Sequence, residues 1–120
     1  MNEDFVSFEL AVKLKEKGFD EPCIAHYKNN QLYIAHYINK FHSESEESID
    51  APTILQVLNW LRKEKKLFLE IILLNNKGDY ICDIYDIDSK PLQCVGSTKY
   101  RNTYEQTILS GIEYVIDNLI

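Results

Sequence analysis

Residues 67–74, Leu-Phe-Leu-Glu-Ile-Ile-Leu-Leu, constrain this chain more than any other segment. A short run that is apolar except for Glu70, with charge on both sides, reads as an interior strand covered on both faces. Asn75-Asn76-Lys77-Gly78-Asp79 follows, and Gly78 suits the left-handed position of a three-residue hairpin loop with a bulge. Tyr80 to Ile87 is then the return strand. With Asn75 set opposite Asp79, Glu70 and Asp86 share one face with Asp88 nearby. Asp83 falls on the otherwise apolar face with Ile71, Ile81 and Tyr85.

The segments around this hairpin carry their own start and stop signals. Ser7 can cap a helix bearing Phe8, Ala11, Val12 and Leu14. That helix stops at Lys17-Gly18-Phe19, where Gly18 suits the left-handed position and Phe19 falls back on Leu14. Cys23–Tyr27 and Leu32–Ile38 form a second hairpin around Asn29-Asn30, two residues that tolerate positive φ. Its register sets His36 opposite Cys23, and His26 opposite Tyr33 on the other side of the sheet. Residues 39–50 hold the run Ser43-Glu44-Ser45-Glu46-Glu47-Ser48, which has nothing to bury and reads as a mobile acidic surface loop.

Two more helices complete the chain. Pro52 suits a first helical turn, whereas Thr53 with Gln56 makes a capping box, so two starts are open for the helix burying Ile54, Val57, Leu58 and Leu61. Trp60 sits beside that stripe. Residues 88–102 read as irregular, broken by Pro91 and Gly96. Thr103 and Gln106 open a closing helix whose stripe is Ile108, Leu109, Ile112, Val115, Ile116 and Leu119.

The expectation is one α+β domain over residues 1–120, two-layered, with three helices on a four-stranded, mostly antiparallel sheet in the order α-β-β-α-β-β-α. Aligning Leu14 on Leu61 also puts Asn29 on Asn76 and Ile34 on Ile81, the outline of a faint αββ repeat. A strand apolar on both sides asks for cover on the side away from the helices, and a second copy of the chain is a natural cover.

The formal net charge of −6 opposes the phosphate backbone, so no nucleic-acid partner is expected. The densest basic run, Arg62-Lys63-Glu64-Lys65-Lys66, sits at a helix C-terminus, where cations complement the helix dipole. Three cysteines without close pairs suggest neither a disulfide scaffold nor a zinc site. The acidic start Met-Asn-Glu-Asp-Phe lacks the basic and apolar parts of a signal peptide, and no apolar run is long enough to span a bilayer. The expected compartment is the cytoplasm, with no membrane partner and no cofactor.

Two constellations could carry chemistry. Cys23 with His36 could form a thiolate–imidazolium pair, set against a buried cysteine beside a strand histidine. Glu70, Asp86 and Asp88 could hold a divalent cation, set against acidic residues that discourage edge-to-edge pairing. No metal ligand is assigned from either. Tyr33, Tyr37, Trp60, Phe68 and Ile72 are the interface candidates, because large rings and apolar strand faces are what protein contacts use.

Three segments, SFELAVKLKEKGFDEPC (7–23), APTILQVLNWLRKEKKLFLEI (51–71) and TYEQTILSGIEYVI (103–116), resemble a family of small proteins carried by bacteriophages and mobile elements of gut bacteria. The similarity covers under half of the chain and leaves out the hairpin 24–38 and the loop 39–50. It implies a phage-related context in a bacterial host and supplies no catalytic or binding residue. The leading expectation is a non-enzymatic accessory protein working through protein contacts, with self-association included. The alternatives are a small metal-dependent or thiol enzyme and an acidic inhibitor of a host nucleic-acid enzyme.

Overall fold

The computed structural model describes residues 4–34 and 48–120. The expected helix signals are used as written. Ser7 caps α1 (Phe8–Glu16), its Oγ accepting from the Leu10 amide at 3.2 Å. At the other end Phe19 N–H donates to Leu14 O and Gly18 N–H to Lys15 O, the paired bonds of a Schellman motif, with Gly18 at φ 93°. Thr53 starts α2 (Ile54–Glu64) by accepting from the Gln56 amide at 3.1 Å. Pro52 lies just outside, its carbonyl accepting from Val6 N–H. The reciprocal half of that capping box is replaced, because the Gln56 side chain donates to Pro22 O. Thr103 caps α3 (Tyr104–Asn118) in the same way, through the Gln106 amide.

The strands form two three-stranded antiparallel sheets, where the sequence led us to expect one sheet of four. The two expected hairpins lie in separate sheets, and among the described residues two further short strands raise the number of strands from four to six. Ser48–Asp50, expected within the acidic loop, is β3 and pairs with β1; residues 39–47 of that loop lie outside the described residues. Gln93–Ser97, expected as irregular, is β6 and pairs with β5. Neither has the length or apolar alternation that marks a strand in sequence. Each supplies the third strand of its sheet, so the order is α-β-β-β-α-β-β-β-α.

The chain divides into two compact units, Met1–Val57 and Leu58–Ile120, and the division falls inside α2. In the first unit β1 (Ala25–Lys28) is central, between β2 (Gln31–Ile34) and β3. Asn29 and Asn30 adopt φ 51° and 63°, the two-residue turn whose twist matches a hairpin. The expected register holds, with His26 opposite Tyr33. Tyr27 faces α1: its ring meets Phe8 edge-on at 5.7 Å and its hydroxyl donates to Val6 O. Val6, Leu10, Ala11, Leu14, Phe19, Ala25 and Ala51 are buried here.

In the second unit β5 (Tyr80–Asp86) is central, between β4 (Leu67–Leu73) and β6. The register differs by one residue from the expected one. Leu74 N–H bonds to Asp79 O, leaving a four-residue loop. Asn75 serves that loop and not the ladder, its Oδ1 accepting from the Lys77 and Asp79 amides and its Nδ2 donating to the Asp79 carboxylate. Gly78 is left-handed, as anticipated, at φ 89°. The shift exchanges the faces of β5 relative to β4, since side chains alternate with a period of two.

Helix α3 packs on the face made by Leu67, Leu69, Ile71, Cys82 and Ile84. The glycine within it decides how closely. A Cβ added at Gly111 would stand 2.5 Å from Cys82 Sγ and 3.0 Å from Leu69 Cδ2. The buried stripe therefore runs through Thr107, Gly111, Ile112, Val115 and Ile116, rotated from the expected one, with Ile108, Leu109 and Leu119 only half-buried.

Candidate functional site

The corrected register defines a second face on β4-β5-β6, turned away from α3. Phe68 stands opposite Tyr85, Glu70 opposite Asp83 and Ile72 opposite Ile81. A bulge between Ile84 and Tyr85 sets Gly96 opposite Ile84 and Cys94 opposite Tyr85, leaving Val95 extra. That extra residue brings both Cys94 and Ser97 onto the uncovered face, although they are an odd number of positions apart. Phe68 is 46% exposed there.

At one end of this face lies a recess of about 390 Å³ lined by Phe68, Glu70, Tyr85, Ile87 and Leu92. Ile87 continues β5, its amide donating to Lys66 O. Leu92 projects from the turn between β5 and β6, 62% exposed. Ser89 ties that turn, its Oγ donating to Asp86 O and accepting from the Gln93 amide. The recess is apolar and aromatic with one carboxylate, the usual make-up of a small recognition site.

The carboxylates are arranged with donors beside them. Ser97 Oγ donates to Asp83 Oδ1 at 2.7 Å. Partial burial, then the charge and hydrogen-bonding influence of nearby Glu70, then Asp83 and Cys94, raise the Tyr85 hydroxyl above the ordinary tyrosine range. It therefore stays a proton donor at neutral pH. Among the described residues no lysine or arginine pairs with Glu70 or Asp83. Like charges set directly opposite across a ladder are unfavourable.

The other sequence candidates are scattered. Asp86 sits opposite Leu67 on the face that α3 covers, so it does not share a face with Glu70 as the expected register required. Asp88 lies beyond β5, its amide donating to the Asp86 side chain in a local turn. Among the described residues no three His, Cys, Asp or Glu side chains are placed to hold a metal ion. Cys23 is buried, its thiol donating to Glu21 O at 3.3 Å, while His36 and Tyr37 lie outside the described residues. Trp60 is 4% exposed, with Lys65 Nζ 5.3 Å from its ring centroid. Tyr33 is exposed in the first unit and stacks on His26. Ile72 is half-buried on the uncovered face beside Glu70.

Tyr85, Ile87 and Leu92 were missed as site residues. A correct reading of the loop 75–78 would have put Tyr85 with Phe68. Leu92, an apolar residue directly after Pro91 in a polar turn, was the other available signal. Cys82, on the face under α3, is inert: burial, then Asp83 and Cys94, push it up to about 12.

Among the described residues no helix is long and apolar enough to cross a membrane. No protein-family model matches the chain, and no curated protein or solved structure matches it either.

Proposed function

We propose that this chain is a non-catalytic binding protein whose contact surface is the uncovered face of the β4-β5-β6 sheet. The single observation that carries the reading is the recess beneath Phe68, Tyr85, Ile87 and Leu92, which leaves large apolar side chains half in water. Aromatic and aliphatic anchors in a pocket, with polar groups around them, are what concentrate binding energy at protein interfaces. In the phage or mobile-element setting that the sequence resemblance implies, the partner is a protein met in the cytoplasm of a bacterial host.

The test is site-specific photocross-linking in a producing bacterial cell. A benzophenone amino acid at Leu92 should give a discrete protein adduct, whereas the same group at Glu113, exposed on α3, should not. Equal yields at both positions, or none at Leu92, would remove the proposal.

A further inference from the structure

We propose that the recess on the β4-β5-β6 sheet takes an arginine side chain of a partner protein, presented between apolar residues; this rests on the binding function proposed above. Three features of the site converge on that chemistry. Phe68 and Tyr85 are a cross-strand pair whose rings border the recess, and a guanidinium stacks on aromatic faces better than an ammonium does. Ile87 and Leu92 offer an aliphatic wall for the stem that carries the charge. Glu70 lines the same recess, and a carboxylate is the acceptor that a guanidinium fork matches.

The charge pattern selects this occupant over a second copy of the chain. Glu70 stands directly opposite Asp83, and among the described residues neither is paired with a cation. Ser97 supplies one hydroxyl hydrogen to Asp83 but no charge. A guanidinium entering beside Glu70 relieves the repulsion between the two carboxylates. A symmetric copy applying the same face would add two more carboxylates, in a chain already at a net charge of −6. The uncompensated pair therefore weakens the free chain slightly and strengthens binding of a cation.

The experiment titrates the full isotopically labelled chain with the blocked pentapeptide Ser-Leu-Arg-Leu-Ser and follows backbone amides by NMR. A second peptide carries citrulline, the neutral isostere of arginine. Saturable shifts are expected at residues 68, 70, 85, 87 and 92, with affinity about tenfold weaker for the citrulline peptide. Glu70→Gln should weaken the arginine peptide about fivefold, the size of a partly exposed ion pair. The same substitution should leave the unfolding midpoint unchanged or raised, which loss of a merely structural residue would not do.

Equal affinity for the two peptides, or no effect of Glu70→Gln on binding, overturns the arginine assignment while leaving the binding face intact. Shifts spread over acidic residues away from the recess overturn it as well. Self-association of the chain that is abolished by Leu92→Asp, without arginine-peptide binding, would make a second copy the occupant and reject the inference. A lowered unfolding midpoint for Glu70→Gln would refute the unrelieved carboxylate pair on which the charge argument stands.

Discussion

The two sheets of this chain are alike in strand number and differ in strand length and in what their second faces carry. Each has three antiparallel strands, and each begins with a helix leading into a hairpin. In the first, the strand that opens the hairpin is central; in the second, it is the strand that closes it. The first sheet's strands are three or four residues long, and its face turned away from α1 carries His26, Lys28, Gln31, Tyr33 and Asp50, with Ser48 buried beside Lys28. The second has two seven-residue strands, and its face turned away from α3 carries Phe68, Ile72, Ile81 and Tyr85 around an acidic pair. A polar second face costs little to leave in water. An apolar one is costlier to leave exposed, because solvent-exposed apolar strands invite unwanted association, and this is the reason the proposed contact surface is placed there.

The largest contrast in stability lies between the two faces of the second sheet itself. Ile84→Ala, at 0% exposure under α3, should cost about 2–5 kcal/mol in urea denaturation. Phe68→Ala on the other face should cost about 1 kcal/mol or less. Comparable losses at both would mean that the uncovered face is part of the core. Gly111→Ala comes next. Its added methyl must displace Cys82 or Leu69, at about 1–3 kcal/mol for overpacking, against a gain of about 1 kcal/mol in helix propensity. A net stabilisation would contradict the close approach of α3. Gly96→Ala should be milder, since its obstacle is the Tyr114 ring, which is half-exposed and can swing.

In the first unit the largest single-residue backbone effect should be Gly18→Ala, about 1 kcal/mol through its φ of 93°; a neutral result would place the helix stop elsewhere. The smallest effects are ionic. Cys82 is raised in the folded chain, so its neutral thiol contributes stability that is fully present below the unfolded value of 9.0 and declines as pH rises from there toward about 12. Tyr27, raised by burial and then by Glu9, adds a decline of the same sign above its ordinary 10.0. A melting temperature that rises between pH 9 and 11 would contradict both. At pH 8, Cys94, which is exposed, should be alkylated well before buried Cys23 and Cys82.

The sequence was most readable where backbone chemistry is local. Ser7, Thr103, Gly18, Gly78 and Asn29-Asn30 each announced a cap, a stop or a turn, because φ preference and short-range hydrogen bonds act within a few residues. It was least readable where a strand is recruited from outside. Nothing in Ser48–Asp50 or Gln93–Ser97 alternates strongly enough to mark a strand; partners already in place impose extended structure on them. The site depended on one residue of register. The Asn75 side chain holds its loop in place of a backbone pair, and that choice moves Tyr85 next to Phe68 and Asp86 away from Glu70. Phe68, Ile72 and Glu70 could be named from the apolar run. Tyr85, Ile87 and Leu92 depend on the fold bringing β4, β5 and the following turn together.

The most direct measurement exposes both sheets at once to one small apolar probe. A soluble nitroxide added to the labelled chain broadens amide signals where it dwells, and it dwells on accessible apolar surface. Selective broadening is expected at residues 68, 85, 87 and 92, with residues 26, 28 and 31 of the first sheet little affected. Uniform broadening of both sheets, or stronger broadening on the first, would contradict the assignment of the binding surface to β4-β5-β6.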